Sequence, residues 1–315
     1  MTAPRDVSSV SEVDDLINAI EQGKLLGASK QILQIADLFC QLSRSQETAS
    51  ATDIVATIRE AGERIIAIRG QEAPTVADAV RSLLDGLQAL TNREELAAAL
   101  SVRADALRAR IRKSQQDLAV CGTAVLSAGR GPVVVFDYSS SVMGVLAMCA
   151  QSGHLLPLVV PESRVLNGGI PVVAEALDQG HAVVFTADGA IGAYLRGARA
   201  VITGAEAILA DGSCINTIGS FTAAVLARYH HVPLYVVSDV SKVYAPSYHG
   251  HSWPLRERTP TNLMAVVPES IAGHANLTVV SPEVERIPPS LITAYVTDQG
   301  LLPASAIYTA GRRGS

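Results

Sequence analysis

The sequence predicts an α/β protein: an N-terminal helical bundle followed by a parallel sheet with helices on both faces. Three observations carry this. Up to about residue 122 the apolar residues recur only three and four apart, with no strand run and no Gly-rich loop. From residue 123 onward, short Val-rich runs alternate with helical segments at βαβ spacing. Finally, the chain is 48% hydrophobic but only 4% aromatic, so Ala, Val, Leu and Ile must do the packing, which suits helical and α/β layers better than a sandwich. At 315 residues it is long enough for two domains, placed at 1–122 and 123–315.

In the first part, Ser11 with Asp14 three residues on reads as a helix cap ahead of Leu16, Ile17 and Ile20. A second helix is expected over 29–42 with Ile32, Leu33, Ile35, Ala36, Phe39 and Cys40 inward, and a third over 53–68. Pro74-Thr75 opens a fourth over 76–90, and 92–119 reads as one long helix. Its Arg103, Arg108, Arg110, Arg112 and Lys113 are expected on a solvated face. Arg69-Gly70, where a helix meets a turn, could offer a guanidinium fork to phosphate.

In the second part, strands are expected at 133–136, 156–160, 181–186, 200–203 and 234–238, with helices at 141–151, 170–179, 190–197 and 220–230. Their C-terminal ends carry Asp137-Tyr138-Ser139-Ser140-Ser141, Glu162-Ser163-Arg164, Asp188, Glu206 and Ser241-Lys242. In open α/β sheets such ends converge on a ligand crevice. The richest stretch is 199–222. A buried strand ends at Gly204, Glu206 follows, Ala207–Ala210 reads as an apolar turn, and Asp211-Gly212 as a tight turn. Asn216, Gly219 and Ser220 then open a helix whose free N–H groups suit an anion.

The net charge of −5 argues against nucleic-acid binding. No apolar run approaches the ~20 residues that span a bilayer, and residues 1–10 lack the pattern of a signal peptide. Cys40, Cys121, Cys149 and Cys214 have no metal or disulfide spacing and read as free thiols of a cytoplasmic protein. Absence of GxGxxG after the first strand excludes ordinary dinucleotide binding, and no P-loop or HExxH occurs. His249-Gly-His251 has no third ligand nearby, so neither a metal nor a cofactor is expected. Cys214 reads as a small apolar filler.

Several phrases together resemble a known superfamily over nearly the whole chain: Gly27-Ala28-Ser29, Arg69-Gly70, Glu162-Ser163-Arg164, Gly204-Ala205-Glu206, Asn216, Ile218-Gly219, Ser241-Lys242 and Arg256-Glu257-Arg258. Val232 to Val237, Ile287-Pro288-Pro289 and Leu291 to Gly300 add to the match. The superfamily holds the α, β and δ subunits of translation initiation factor 2B, methylthioribose-1-phosphate isomerase and ribose-1,5-bisphosphate isomerase. The resemblance implies an N-terminal helical domain, a Rossmann-like C-terminal domain, homodimers or larger homo-oligomers, and a pocket for a phosphorylated sugar or nucleotide in the interdomain crevice.

It also shows departures. Ser139 stands where the isomerases carry Cys, Glu206 where they carry Asp, and Thr217 where they carry Lys; Asp137-Tyr138 replaces a Thr-His pair. Two functions follow: an aldose–ketose isomerase-like enzyme on a phosphorylated pentose, or a non-catalytic sensor or assembly protein using the same pocket. For the enzyme, Glu206 is the expected general acid/base and Ser139 the group that orients a substrate hydroxyl. Arg69, Gly70, Ser140, Ser141, Arg164, Asp188, Asn216, Thr217, Gly219 and Lys242 are the expected substrate-binding residues.

Overall fold

The computed structural model describes residues 7–21, 25, 27–45, 50–69, 73–253 and 257–313. They group into two compact units, Met1–Lys113 and Ser114–Ser315.

The first unit is helical: α1 (Val7–Glu21), α2 (Ala28–Ser45), α3 (Ala51–Arg69), α4 (Pro74–Leu84) and the first part of α5 (Arg93–Ser127). One core of Ile35, Phe39, Leu42, Ile54, Ile58, Ile65, Val80, Leu83, Leu96 and Leu100 holds them together. The spacings within each helix are the three- and four-residue steps that put one stripe inward. Ser50 starts α3 as a capping box: its hydroxyl accepts from the Asp53 N–H at 3.2 Å, and the Asp53 carboxylate accepts from the Ser50 N–H at 3.3 Å. Asn92 caps α5 by accepting from the Glu94 N–H at 2.8 Å.

Two expected boundaries move. Helix α1 already runs from Val7, so Ser11 lies inside it and not at its cap; nothing between Val7 and Ser11 breaks a helix. The helix expected over 76–90 stops at Leu84, and a single 3₁₀ turn, Leu87–Ala89, follows. The Asp85-Gly86 turn dipeptide overrides an apolar repeat that continues through it. On α5, Arg108 is not simply solvated: it pairs with Asp37 and, at 2.8 Å, with Asp105.

The second unit is built on strands β1 (Val133–Phe136), β2 (Pro157–Pro161), β3 (Ala182–Thr186), β4 (Ala200–Thr203), β5 (Ala207–Ile208), β6 (Cys214–Thr217) and β7 (Leu234–Val237). Strands β8 (Glu257–Arg258), β9 (Ser281–Pro282), β10 (Val284–Ile287), β11 (Ala294–Thr297) and β12 (Gly300–Leu302) complete the set. The main sheet has the order β12-β11-β7-β4-β1-β2-β3. All its pairings are parallel except β11 with β12. Helices α6 (Ser140–Gln151), α7 (Gly169–Asp178), α8 (Ile191–Leu195) and α9 (Ser220–Tyr229) connect the parallel strands.

Both faces of the sheet are covered. Val134, Phe136, Val201 and Val236 pack on the core that includes Ala223, Ala224 and Ala227 of α9. Val133, Val135, Ala200, Ile202 and Val237 pack on the core of Val142, Leu146 and Val172 from α6 and α7. Burial on both faces is why β1 is apolar at every position instead of alternating.

The stretch expected to be loop between β4 and α9 is a second, smaller sheet. Ala207–Ile208 is strand β5 rather than an apolar turn, and Asn216 and Thr217 end strand β6 rather than opening the helix. Asp211-Gly212 does make the turn between them, and β6 pairs antiparallel with both β5 and β10. The partner strand β10 lies some seventy positions downstream, out of reach of local pattern reading.

Candidate functional site

Strands β1 and β4 are neighbours in register, Val133 facing Ala200 and Phe136 facing Thr203. From β1 the chain moves outward to β2 and β3; from β4 it moves the other way to β7 and β11. This is the point where strand order reverses, and ligands of open α/β sheets bind outside the strand ends there.

Immediately after β1, Asp137 takes a left-handed backbone (φ 63°) and turns the chain sharply. Ser139 then occupies the N-cap position of α6 with an extended backbone, yet its hydroxyl makes no capping bond. It is buried and packs directly on Gly204, at the end of β4. A Cβ at Gly204 would lie 2.5 Å from the Ser139 Cβ and 2.6 Å from its Oγ. Glycine is therefore required here by close approach, not by backbone angle. Two residues on, half-buried Glu206 is fixed through its own N–H, which donates to the Ile215 carbonyl at 2.8 Å.

Polar bonds tie the small sheet to this junction. Asn216 Nδ2 donates to Thr203 Oγ1 at 2.6 Å, and Thr203 Oγ1 donates to the Phe136 carbonyl at 3.0 Å. Thr217 Oγ1 donates to the Asp137 carboxyl, and Ser163 Oγ donates to its other oxygen at 2.9 Å. Asp137 is buried. Burial raises its carboxyl above the ordinary range and the nearby Glu206 charge adds to this, while the bonds from Thr217, Ser163 and the Tyr138 N–H pull the other way.

Ser139, Glu206, Asn216 and Thr217 thus share one neighbourhood. Ser140 and Ser141 are the first residues of α6 beside it, half-buried and buried respectively. The other expected binding residues have engagements of their own. Asp188 accepts from the Ser163 and Arg164 N–H groups at 2.8 and 2.9 Å and so shapes the loop after β2. Arg164 pairs with Glu162 at 2.7 Å. Lys242 Nζ donates to the Ala205 carbonyl at 2.6 Å, which places the ammonium beside Glu206 in the chain.

The α9 N-terminus, expected to face a ligand anion, faces an internal one: the Gly219 and Phe221 N–H groups both donate to the Glu285 carboxylate. Burial raises Glu285, and those two bonds lower it. Arg69 ends α3 in the first unit, and Gly70 lies outside the described residues.

Asp137 and Ser163 were expected among the converging strand ends but given no binding role, and Glu285 was left out altogether. Asp137 had a signal, a carboxylate at the end of an all-apolar strand. Glu285 had none, being joined to Gly219 only through the β6–β10 pairing. Cys214 is fully buried, and burial pushes its thiol far above the ordinary range, so it fills space and is not a nucleophile. Among the described residues no three His, Cys, Asp or Glu side chains group as a metal site.

Comparison with known proteins follows the same outline. The model of the initiation factor 2 subunit family matches residues 24–304. The ribose 1,5-bisphosphate isomerase of Haloferax volcanii is 29% identical over 276 residues, 87% of this chain and 84% of that protein. The methylthioribose-1-phosphate isomerase of Desulforudis audaxviator is 32% identical over 180 residues, 55% of this chain and 50% of that protein. In structure, 5-methylthioribose 1-phosphate isomerase from Pyrococcus horikoshii superposes with a TM-score of 0.80 at 21% identity, covering 97% of this chain and 88% of that one.

The Gly204–Ser139 contact makes a direct test. Gly204→Ala is expected to cost about 1–3 kcal/mol of stability, the usual range for overpacking, measured by urea unfolding. A variant as stable as the parent would show that the β1–β4 junction is looser than described.

Proposed function

The chain belongs to the initiation factor 2 subunit family, and on that premise we propose that it binds a phosphorylated sugar or nucleotide at the β1–β4 strand ends and isomerises a phosphorylated pentose between aldose and ketose forms. The observation that carries this reading is the seating of Glu206 and Ser139 at the point where strand order reverses. Its second support is that relatives similar along most of the chain are named as sugar-phosphate isomerases.

In the proposed reaction the C1–ring oxygen bond breaks and the ring oxygen takes up a proton; Glu206 then removes the C2 proton and returns it to C1, as a general base and then acid, while the C2 hydroxyl releases its proton as the ketone forms. Such proton transfer contributes roughly 10²–10⁴-fold in rate. Ser139 donates a hydrogen bond from its hydroxyl to a substrate hydroxyl oxygen. Its hydroxyl does not ionise near neutrality as the thiol of a Cys can, so its role is orientation. Asn216, Thr217, Ser140 and Ser141 supply hydrogen bonds to the sugar hydroxyls. Arg164 and Lys242 supply positive charge for phosphate. A phosphate that used the Gly219 amide would have to displace Glu285.

The four cysteines are all free thiols, which supports a reducing, cytoplasmic setting as part of the proposal, and no helix among the described residues is long and apolar enough to cross a membrane. The working form we propose is a homodimer or larger homo-oligomer, as the superfamily resemblance implies. Light scattering of the purified chain is expected to give at least twice the monomer mass of 33.0 kDa; a monomer at micromolar concentration would contradict it.

The direct test is Glu206→Gln assayed against pentose 1-phosphates, ribose 1,5-bisphosphate and methylthioribose 1-phosphate. The expected result is a kcat at least ~100-fold below the parent with ligand affinity within a few-fold. Parent-like turnover would remove Glu206 from the proton-transfer role. Binding of these ligands by the parent chain without turnover would identify a ligand sensor instead of an enzyme.

A further inference from the structure

The Asp137 carboxyl is buried at this junction, and the proposed reaction leaves it without a part. It is 8% exposed, and the groups bonded to it are two hydroxyls and a backbone N–H. No cation is among its contacts within the described residues. From the segment after β4, the charge of another carboxylate, Glu206, also reaches it. On the loop after β2, Arg164 is already paired with Glu162, and Asp188 is held by two N–H groups. Gly168 of the same loop approaches so closely that a Cβ there would overlap Asp137 Oδ1, so water has no room on that side.

A carboxyl buried without a cation, with water kept out and a second carboxylate's charge in reach, keeps its proton. We infer that Asp137 is held as the neutral acid at the pH where the protein works, and that it acts as a positioning residue which adds no charge beside Glu206. The neutral acid has one proton to donate and oxygens left to accept. Thr217 and Ser163 hydroxyls can serve it in either sense, so the cluster stays satisfied without a counter-ion. Thr217 Oγ1 is thereby oriented, and the loop after β2 is locked to β6. In the proposed reaction the division of labour follows: Glu206 is the ionised base, and Asp137 never exchanges a proton with substrate.

This inference rests on the isomerase reading only for its catalytic consequence; the protonation state is tested without substrate. The first readout is infrared difference spectroscopy of parent minus Asp137→Asn near neutral pH. The expected result is a carbonyl-stretch band of a protonated carboxylic acid present in the parent and lost in the variant. Ionised-carboxylate bands alone in the difference spectrum would overturn the inference.

The second readout is thermal stability against pH. A carboxyl raised in the folded state stabilises fully below its unfolded pKa of about 3.9 and loses that contribution as pH rises through its folded value. Asn carries no such loss. The Tm of Asp137→Asn minus that of the parent is therefore expected to become more positive between about pH 4 and pH 8. A difference that becomes more negative over that range would overturn the inference.

If Asp137→Asn does not fold, Thr217→Val serves. It removes a hydrogen-bond partner and is expected to shift the acid band in frequency, whereas an unmoved band would assign the proton to another carboxyl and overturn the inference. Where turnover is found, the acidic limb of the kcat–pH profile is expected to stay in place in Asp137→Asn, because one neutral group replaces another. A limb displaced to lower pH would show that Asp137 carried a charge beside Glu206. Loss of turnover in the parent with the acid band intact would discard the isomerase reading and leave the protonation state standing.

Discussion

A single enclosed carboxyl ties together the three segments that meet at the strand-order reversal. Asp137 follows β1, accepts from Ser163 on the loop after β2, and accepts from Thr217 at the end of β6. Removing it would loosen the loop after β2 and the end of β6 from the end of β1. The second tie, Asn216 to Thr203 to the Phe136 carbonyl, runs parallel to it and fastens the same strand β6 to β4 and β1. The small antiparallel sheet is in this sense the back wall of the crevice. Its register with β10 sets where Asn216 and Thr217 stand.

The same connections explain why groups that look similar in the sequence do different work. Ser139 is at the N-cap position of a helix, where serine usually bonds the first amides. Here it packs on Gly204 and makes no such bond, which leaves its hydroxyl for another partner. The α9 helix end looks ready for an outside anion, yet Glu285 reaches it from the neighbouring strand. Asp188 looks like a ligand-facing carboxylate but braces two backbone amides. Under the proposed function, the groups left to meet a substrate are Ser139, Glu206 and the polar end of β6.

Much of the scaffold was legible because periodicity and burial agree. The strands 133–136 and 200–203 appear at the expected positions. Strand 133–136 is wholly apolar, and 200–203 is apolar up to Thr203, because both faces of the sheet are covered there. Where a local signal competed with a longer pattern, reading failed. An apolar repeat hid the Asp85-Gly86 break in the fourth helix, and two-residue strand β5 is too short to show any alternation. At the site, Glu206 and Ser139 were visible as polar residues following apolar runs. The partners of Asn216, Thr217 and Gly219 were not, because those bonds join residues 13, 80 and 66 positions apart.

The central claim is that Glu206 moves a carbon-bound proton. Proton NMR of the reaction in deuterated water tests it most directly, with the parent chain and the sugar-phosphate panel. A carboxylate that carries the proton between adjacent carbons exchanges part of it with solvent, so deuterium is expected at carbon 1 or 2 of the product. Turnover with no deuterium at either carbon would contradict the account.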